Sequence, residues 1–547
     1  MIAPDAWRPV AIEILEPGAK AAITLLKGNA VVIANPGSGK TELLAQRSDF
    51  LFKTGVCRYP KRILAISFKT DAAHTLRKRV RERSGFEYAH RIDSLTFHAF
   101  ARRLIQIYRP LLIGADRLAA GFGVGLVRVG DTQVAFKELV PLAQKLIGKH
   151  PMVKRSVAGA YSHVFLDEFQ DCTAEQYELI TSLFKGTTIG VTAVGDAKQR
   201  IMGWAGALDG VMEMFAIEFG AARLALVHNW RSAPVIRRVQ NRMIKRMEPA
   251  SAVDEKEIGG DAGVVYLSGF EDEQAEALFI AERIQAWIEE GIPAHEIAIL
   301  HIRQSELFNQ PIAVELDRRG IQYRNEQELQ DLASEPLAEL VIGLLRVLGK
   351  EPAPDAYAFV LHALSSDDDD NQGDWVRKLH RSRDAVAKVH NVEQAKRALE
   401  EVRVLIGSLS SASTLALSSD YDAGRIEELL AKIYSVLTEL VDKYRDLDKV
   451  VARFRDEGSV RVMTIHKCKG MEFECVIMPC TESETWWGSE IENRSSFFVG
   501  ISRAKQCLAV THASRRIKPD GLNGRWINSR QPQSEFLSYL KKEASPL

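Results

Sequence analysis

Apolar residues fall along this chain in two rhythms. Short unbroken runs of aliphatic residues recur through the first part: Ala30-Val31-Val32-Ile33, Ile63-Leu64-Ala65-Ile66, Val164-Phe165-Leu166, Ile189-Gly190-Val191-Thr192-Ala193-Val194 and Ala225-Leu226-Val227. A second series follows in Ile297-Ala298-Ile299-Leu300, Cys475-Val476-Ile477-Met478 and Cys507-Leu508-Ala509-Val510-Thr511. Longer stretches of helical character separate the runs. A strand that is apolar at successive positions has no face to offer water and must be covered on both sides. Such runs alternating with helices predict parallel sheets sandwiched by helices, and there are enough of them for two sheets. The alternation breaks from about Ile107 to Ala160 and from about Lys350 to Asp456. Both regions look helical or irregular and read as insertions. The second holds four adjacent carboxylates, Asp367 to Asp370, in a Ser/Asn/Gln/Gly-rich setting that predicts a solvated loop.

Size and charge narrow this picture only a little. A chain of 547 residues is too long for one core, so several domains are expected. No apolar run is long enough to span a membrane, and the first residues lack the basic and apolar regions of a signal peptide. The cysteines (Cys57, Cys172, Cys468, Cys475, Cys480, Cys507) lack paired metal-ligand spacing, which fits reduced thiols in a cytoplasmic protein. A net charge of +0 argues against coating nucleic acid by bulk charge. It leaves room for a local basic groove.

Chemistry enters at Ala34-Asn35-Pro36-Gly37-Ser38-Gly39-Lys40-Thr41, which lies between an apolar run and a helix-like stretch. Strand, glycine turn and helix start form a phosphate-binding loop, with Ala34 where the pattern usually opens on Gly. Glycines let backbone N–H groups approach phosphate oxygens, and the helix N-terminus adds partial positive charge. Lys40 is expected to reach the β- and γ-phosphates, and the Thr41 hydroxyl to ligate Mg²⁺. The apolar run through Leu166 ends in Asp167-Glu168. Carboxylates at a strand's carboxyl end face the nucleotide in such folds. Asp167 is placed to hold Mg²⁺, and Glu168 to position and deprotonate the attacking water.

Asp167-Glu168-Phe169-Gln170-Asp171 resembles motif II of superfamily 1 DNA helicases, the UvrD/Rep/PcrA family. Ile66-Ser67-Phe68-Lys69-Thr70-Asp71-Ala72-Ala73 resembles motif Ia, and Thr96-Phe97-His98 the next DNA-contact motif. Val194-Gly195-Asp196-Ala197-Lys198-Gln199 through Gly203-Trp204-Ala205-Gly206-Ala207 resembles motif III, and Asn229-Trp230-Arg231-Ser232 motif IV. Thr464-Ile465-His466-Lys467-Cys468-Lys469-Gly470-Met471-Glu472-Phe473 resembles motif V, and Phe498-Val499-Gly500-Ile501-Ser502-Arg503-Ala504 motif VI. The ordered set spans nearly the whole chain.

The resemblance implies roles. Gln199 would sense the γ-phosphate, and Arg231 and Arg503 would reach it across a cleft and neutralise charge during phosphoryl transfer. Gly470 and Glu472 would be nucleotide contacts, Glu472 at the ribose. Phe68, Thr96, His98, Trp204 and His466 would face single-stranded DNA, where aromatic stacking grips any sequence. Departures from the family pattern are visible. Ala19 stands near the place of the adenine-reading Gln, Met202 and Ala205 replace a Tyr and an Arg of motif III, Asp71 replaces a Lys of motif Ia, and both insertions are short.

The expected fold is α/β, with two RecA-like parallel-sheet domains and small, mainly helical insertions. Residues 1–105 and 156–222 form the first domain, with 106–155 inserted, and 223–350 and 457–547 the second, with 351–456 inserted. The expected function is an ATP- and Mg²⁺-dependent translocase or helicase on single-stranded or tailed duplex DNA, moving 3′ to 5′. The alternative is a DNA-stimulated regulatory ATPase that senses DNA ends and controls a partner nuclease.

Overall fold

The computed structural model describes residues 1–68, 70–125, 127–203, 206–324, 332–333, 335–350, 352–364, 369–409, 423–455, 458–523 and 525–545. The strands, in chain order, are β1 (Ala30–Ala34), β2 (Arg62–Ser67), β3 (Ile92–Thr96), β4 (Gly123–Gly125), β5 (Gln133–Ala135), β6 (Tyr161–Leu166), β7 (Gly190–Gly195) and β8 (Ala222–Leu226). They continue as β9 (Val264–Asp272), β10 (Ile297–His301), β11 (Tyr323–Arg324), β12 (Val460–Thr464), β13 (Phe473–Met478) and β14 (Ala504–Arg515). Two six-stranded sheets result, ordered β3-β2-β6-β7-β1-β8 and β11-β12-β10-β13-β14-β9. All pairings within them are parallel. Each sheet with its covering helices is termed a lobe below.

The two-sided burial expected of continuous apolar strands is visible residue by residue. Val31, Leu64 and Val164 point into one core of the first lobe, and Val32, Ala65 and Phe165 into the other. In the second lobe Ala298, Leu300 and Val476 share one core, while Ile297, Ile299 and Ile477 share the opposite one. Successive residues therefore bury on alternate faces. Each fully buried aliphatic side chain contributes about 1.5–3 kcal/mol.

Several strands do not follow apolar runs. β3 reads Ile-Asp-Ser-Leu-Thr, and its Asp93 is buried because Arg62 (2.7 Å), Arg103 (3.2 Å) and the Tyr161 hydroxyl (2.7 Å) satisfy it. Burial pushes the Asp93 carboxyl up, but Arg62, Arg103 and Tyr161 together outweigh it, so its pKa falls below the ordinary value. β9 lies at a sheet edge and buries only Val265 and Ser268 fully.

The region from 107 to 160 contains, besides helices Leu139–Lys149 and Pro151–Ala160, the two-stranded sheet β4–β5. Its apolar residues join a core of the first lobe. Helices Pro354–Leu364, Asp369–Ala387, Asn391–Gly407, Ala423–Tyr444 and Leu447–Phe454 occupy the second insertion. They share a core with Pro336–Leu348, which the sequence reading assigned to the sheet domain. That helix buries Leu337, Leu340, Val341, Leu344 and Leu348, an apolar stripe too wide for one sheet contact. Of the acidic run, Asp369 and Asp370 open a helix rather than lie in a loop. Asp367 and Asp368 lie outside the described residues. No helix among the described residues is long and apolar enough to cross a membrane.

Candidate functional site

In the first sheet β1 lies between β7 and β8, with β6 beyond β7, so the loops leaving these strands meet at one carboxyl edge. That edge of an open parallel sheet is where ligands bind. The loop after β1 is tied down by its own chain. Asn35 N donates to Leu226 O at 2.8 Å, and the Ser38 hydroxyl to Asn35 O at 2.7 Å. Gly37 and Gly39 hold φ of 69° and 85°, a region costly for any side chain. The helix Lys40–Lys53 then starts, and its first amides have no partners within the helix.

The acidic pair sits beside this loop. Asp167 N donates to Ile66 O at 2.9 Å, extending the strand by one residue. Glu168 then turns into the left-handed region at φ 50°, unusual for a residue with a side chain. Its carboxylate lies 3.6 Å from Lys40 Nζ and accepts from Gln170 Nε2 at 2.6 Å. Gln170 Oε1 in turn accepts from Asp196 N at 2.9 Å, which locks the loop after β6 to that after β7. Burial and the neighbouring Glu168 charge push Asp167 up to about 7. Burial pushes Glu168 up as well, but Lys40 and Lys469 outweigh it and hold Glu168 below its ordinary value. A buried carboxylate held this uncomfortably, beside a threonine hydroxyl and a phosphate loop, is a donor set suited to a hard divalent cation.

The second lobe supplies the opposite wall. Arg503 is buried and donates from Nη2 to Gln199 Oε1 at 2.6 Å, from Nε to Val499 O at 3.0 Å and from Nη1 to Met471 O at 3.2 Å. Gln199 Nε2 donates to Asp196 Oδ2 at 2.7 Å. Burial, and then Arg231, lower Arg503 to about 10, still charged at neutral pH. Arg231 donates from Nε to Glu472 Oε2 at 2.7 Å and from Nη1 to Ser502 O at 3.0 Å. Lys40, Thr41, Asp167, Glu168, Gln199, Arg231, Gly470, Glu472 and Arg503 all line one cavity of about 340 Å³, with Gly37, Ser38 and Gly39. Ala34, Asn35 and Pro36 lie behind it: Ala34 ends β1, and Asn35 and Pro36 border a smaller recess.

Lys469 and Trp230 are among the lining residues that the sequence alone does not mark. Lys469 is buried, donates to Asp171 and to Gln199 O (2.8 Å), and stands 4.0 Å from Glu168 Oε2. The signal was a second lysine within Lys467-Cys468-Lys469-Gly470, but its partner is visible only in three dimensions. Trp230 is 58% exposed, and its backbone N–H donates to Gly37 O at 2.9 Å. An exposed indole beside the phosphate loop offers a face for a base. Ala19, near the expected place of a base-reading Gln, is buried in helix Pro17–Thr24. Nearby, Glu16 Oε2 accepts from Val227 N and His228 N, both at 3.3 Å.

The residues expected to face DNA are spread along the carboxyl edges. Phe68 follows β2 and lines the cavity itself. Thr96 caps helix Phe97–Tyr108, its hydroxyl accepting from Ala99 N at 3.2 Å. The His98 ring stacks on Phe136 at 4.1 Å, and burial lowers its pKa. His466 follows β12 on the second lobe's carboxyl edge and is half-buried. Trp204 and Ala205 lie outside the described residues, while Met202 beside them is buried.

Comparison with known proteins matches residues 15–116 and 128–219 to the UvrD/REP helicase N-terminal domain. Residues 224–351 and 364–515 match the UvrD-like helicase C-terminal domain. Among similar whole proteins, DNA helicase II of Haemophilus influenzae is 24% identical, covering 94% of this chain and 85% of its own length. DNA helicase II of Escherichia coli is also 24% identical, over 97% of this chain and 88% of its own. The putative ATP-dependent DNA helicase YjcD of Bacillus subtilis is 22% identical, over 96% and 81%.

Proposed function

The chain belongs to the UvrD-like helicase family, and from that premise we propose that it couples ATP hydrolysis to movement along single-stranded DNA. The observation that carries this reading is the shared cavity, which has a phosphate loop and acidic pair on one wall and Arg231 and Arg503 on the other. ATP, when bound, supplies the γ-phosphoryl group that water takes up. The loop amides and Lys40 bind its phosphates, while Thr41 and Asp167 hold Mg²⁺. Glu168 orients the water and takes its proton. Arg231 and Arg503 place guanidinium forks where negative charge develops.

Arg503 already contacts Gln199, so nucleotide-dependent closure of the lobes is read at that pair. Alternating closure and release moves the strand, 3′ to 5′ in this proposal, by hinge motion between two domains. Phe68, Thr96, His98, Trp204 and His466 are the proposed strand contacts. The resemblance over almost the entire chain to proteins named DNA helicases favours a motor over a nuclease-controlling subunit.

The test is ATP turnover with and without single-stranded DNA, followed by strand displacement on 3′-tailed and 5′-tailed duplexes. Stimulation by DNA with displacement from the 3′-tailed substrate is expected. No stimulation would overturn the reading, and displacement only from the 5′ tail would overturn the direction.

A further inference from the structure

Gln199 is held from two directions. Its carbonyl oxygen accepts a hydrogen bond from Arg503 Nη2 at 2.6 Å, and its amide donates to Asp196 Oδ2 at 2.7 Å. The other Asp196 oxygen, Oδ1, lies 2.9 Å from Lys198 Nζ. Lys198 also lies 2.5 Å from Glu248 Oε2, which belongs to the second lobe. Glu248 ends helix Pro234–Met247 and opens the turn Pro249–Ser251. Three residues on, Ser251 O accepts from Asn35 Nδ2 of the phosphate loop at 3.1 Å. One short segment of the second lobe therefore grips both the phosphate loop and the residue beside Gln199.

We propose that Lys198 is a positioning residue that couples Gln199 to the second lobe through the strut Glu248–Ser251. The inference rests on the proposed function, in which lobe movement is tied to nucleotide and DNA. Lys198 is 2% exposed, so its ammonium has exchanged water for two carboxylates. A buried charge of this kind is tolerated only while it stays paired, and Asp196 alone can meet that need. If the lobes separate, Glu248 withdraws and Asp196 keeps the whole ammonium. The Asp196 carboxylate then holds the Gln199 amide less freely. Closure returns Glu248, shares the ammonium between two carboxylates and frees Asp196 to orient Gln199 towards Arg503. The arginines sense the nucleotide directly, whereas Lys198 carries the lobe position to the sensor without touching the ligand.

The test compares DNA-stimulated with basal ATP turnover in the full chain, together with KM for ATP. Lys198→Met is expected to lower the stimulation ratio about tenfold while KM changes less than about twofold. Glu248→Gln, at a partly exposed position where folding is not at stake, is expected to lower the ratio in the same sense by about threefold. A residue that merely stabilised the fold would lower yield and melting temperature and leave the ratio intact. If Lys198→Met fails to fold, Glu248→Gln decides. Wild-type ratios in Glu248→Gln, or in a folded Lys198→Met, overturn the inference and leave the proposed function standing. Absence of stimulation in the unaltered chain overturns the proposed function instead, and the inference with it.

Discussion

The first lobe brings to the cleft groups fixed by the path of the backbone, whereas the second brings long side chains held by the hydrogen bonds of their guanidinium groups. On the first side stand two left-handed glycines, a strained Glu168 and an acid that extends a strand. On the second side, Arg503 is held by Gln199 and by two carbonyls, and Arg231 by Glu472 and one carbonyl. Backbone groups cannot change partner without unfolding a turn, but guanidinium groups can. The contrast separates a half suited to gripping a constant ligand from a half suited to registering a change in it. A motor needs both, because it must hold phosphate tightly and still move when the phosphate is gone.

The contrast can be broken at Arg503. Arg503→Ala should lower DNA-stimulated turnover by about 10³–10⁵, or about 4–7 kcal/mol of barrier, with nucleotide affinity affected far less. Arg503→Lys should not restore it, since a point charge lacks the planar fork. A loss below tenfold at saturating ATP and DNA would show that the second lobe does not take part in the transition state. Glu168→Gln on the opposite wall should cost about 10²–10⁴ in turnover and leave Mg-ATP binding in place, measured by single-turnover hydrolysis beside equilibrium binding. Equal losses of binding and turnover would instead mark Glu168 as a ligand of the substrate.

Smaller effects sharpen the comparison. Lys469→Met leaves Asp171 buried without its cation and should cost about 3–5 kcal/mol, seen as an early unfolding step in a denaturant titration. Adding Asp171→Asn should recover much of that loss. No recovery would mean that the pair does not act as a unit. Trp230→Ala should weaken ATP binding by about 1–3 kcal/mol, the worth of one base on an aromatic face, without changing turnover at saturation. The same variant measured with GTP distinguishes stacking, which both bases lose, from a base-specific contact. Glu472→Gln frees Arg231 from a half-exposed ion pair and should change stability by at most about 1 kcal/mol, the usual limit for such pairs. A larger effect in thermal melts would show that this contact, too, is structural.

How much of the site could be read in advance follows from how each residue reaches it. Lys40, Thr41, Asp167 and Glu168 lie within contiguous runs that follow apolar strands, so their convergence on one edge was legible from strand order alone. Arg231 and Arg503 were legible only through family resemblance, since no local pattern marks an isolated arginine. Lys469 finds Asp171 298 residues away and Lys198 finds Glu248 50 residues away, and spacing carries no trace of such pairs. The fold shows the same division. Runs such as Ile297–Leu300 announced strands because both faces are buried. β3 stayed hidden because ion pairs, not apolar neighbours, fill the space around Asp93. Helix Pro336–Leu348 reads as part of the sheet domain but packs into the core of the second insertion, because an apolar helix does not say which core it enters.

Gly37 carries a consequence for how such a chain can vary. A Cβ built there would stand 2.2 Å from Asn229 Oδ1 and 2.7 Å from Arg231 Cβ. The loop that cradles phosphate and the segment that presents an arginine to it are therefore pressed together with no spare volume. Although far apart along the chain, they form a single inherited part. A chimaera joined between them would have to bring a matched pair, and a loop borrowed from one relative with an arginine segment from another would collide before any chemistry began. The join that preserves function lies outside both, so this cleft is to be exchanged whole or not at all.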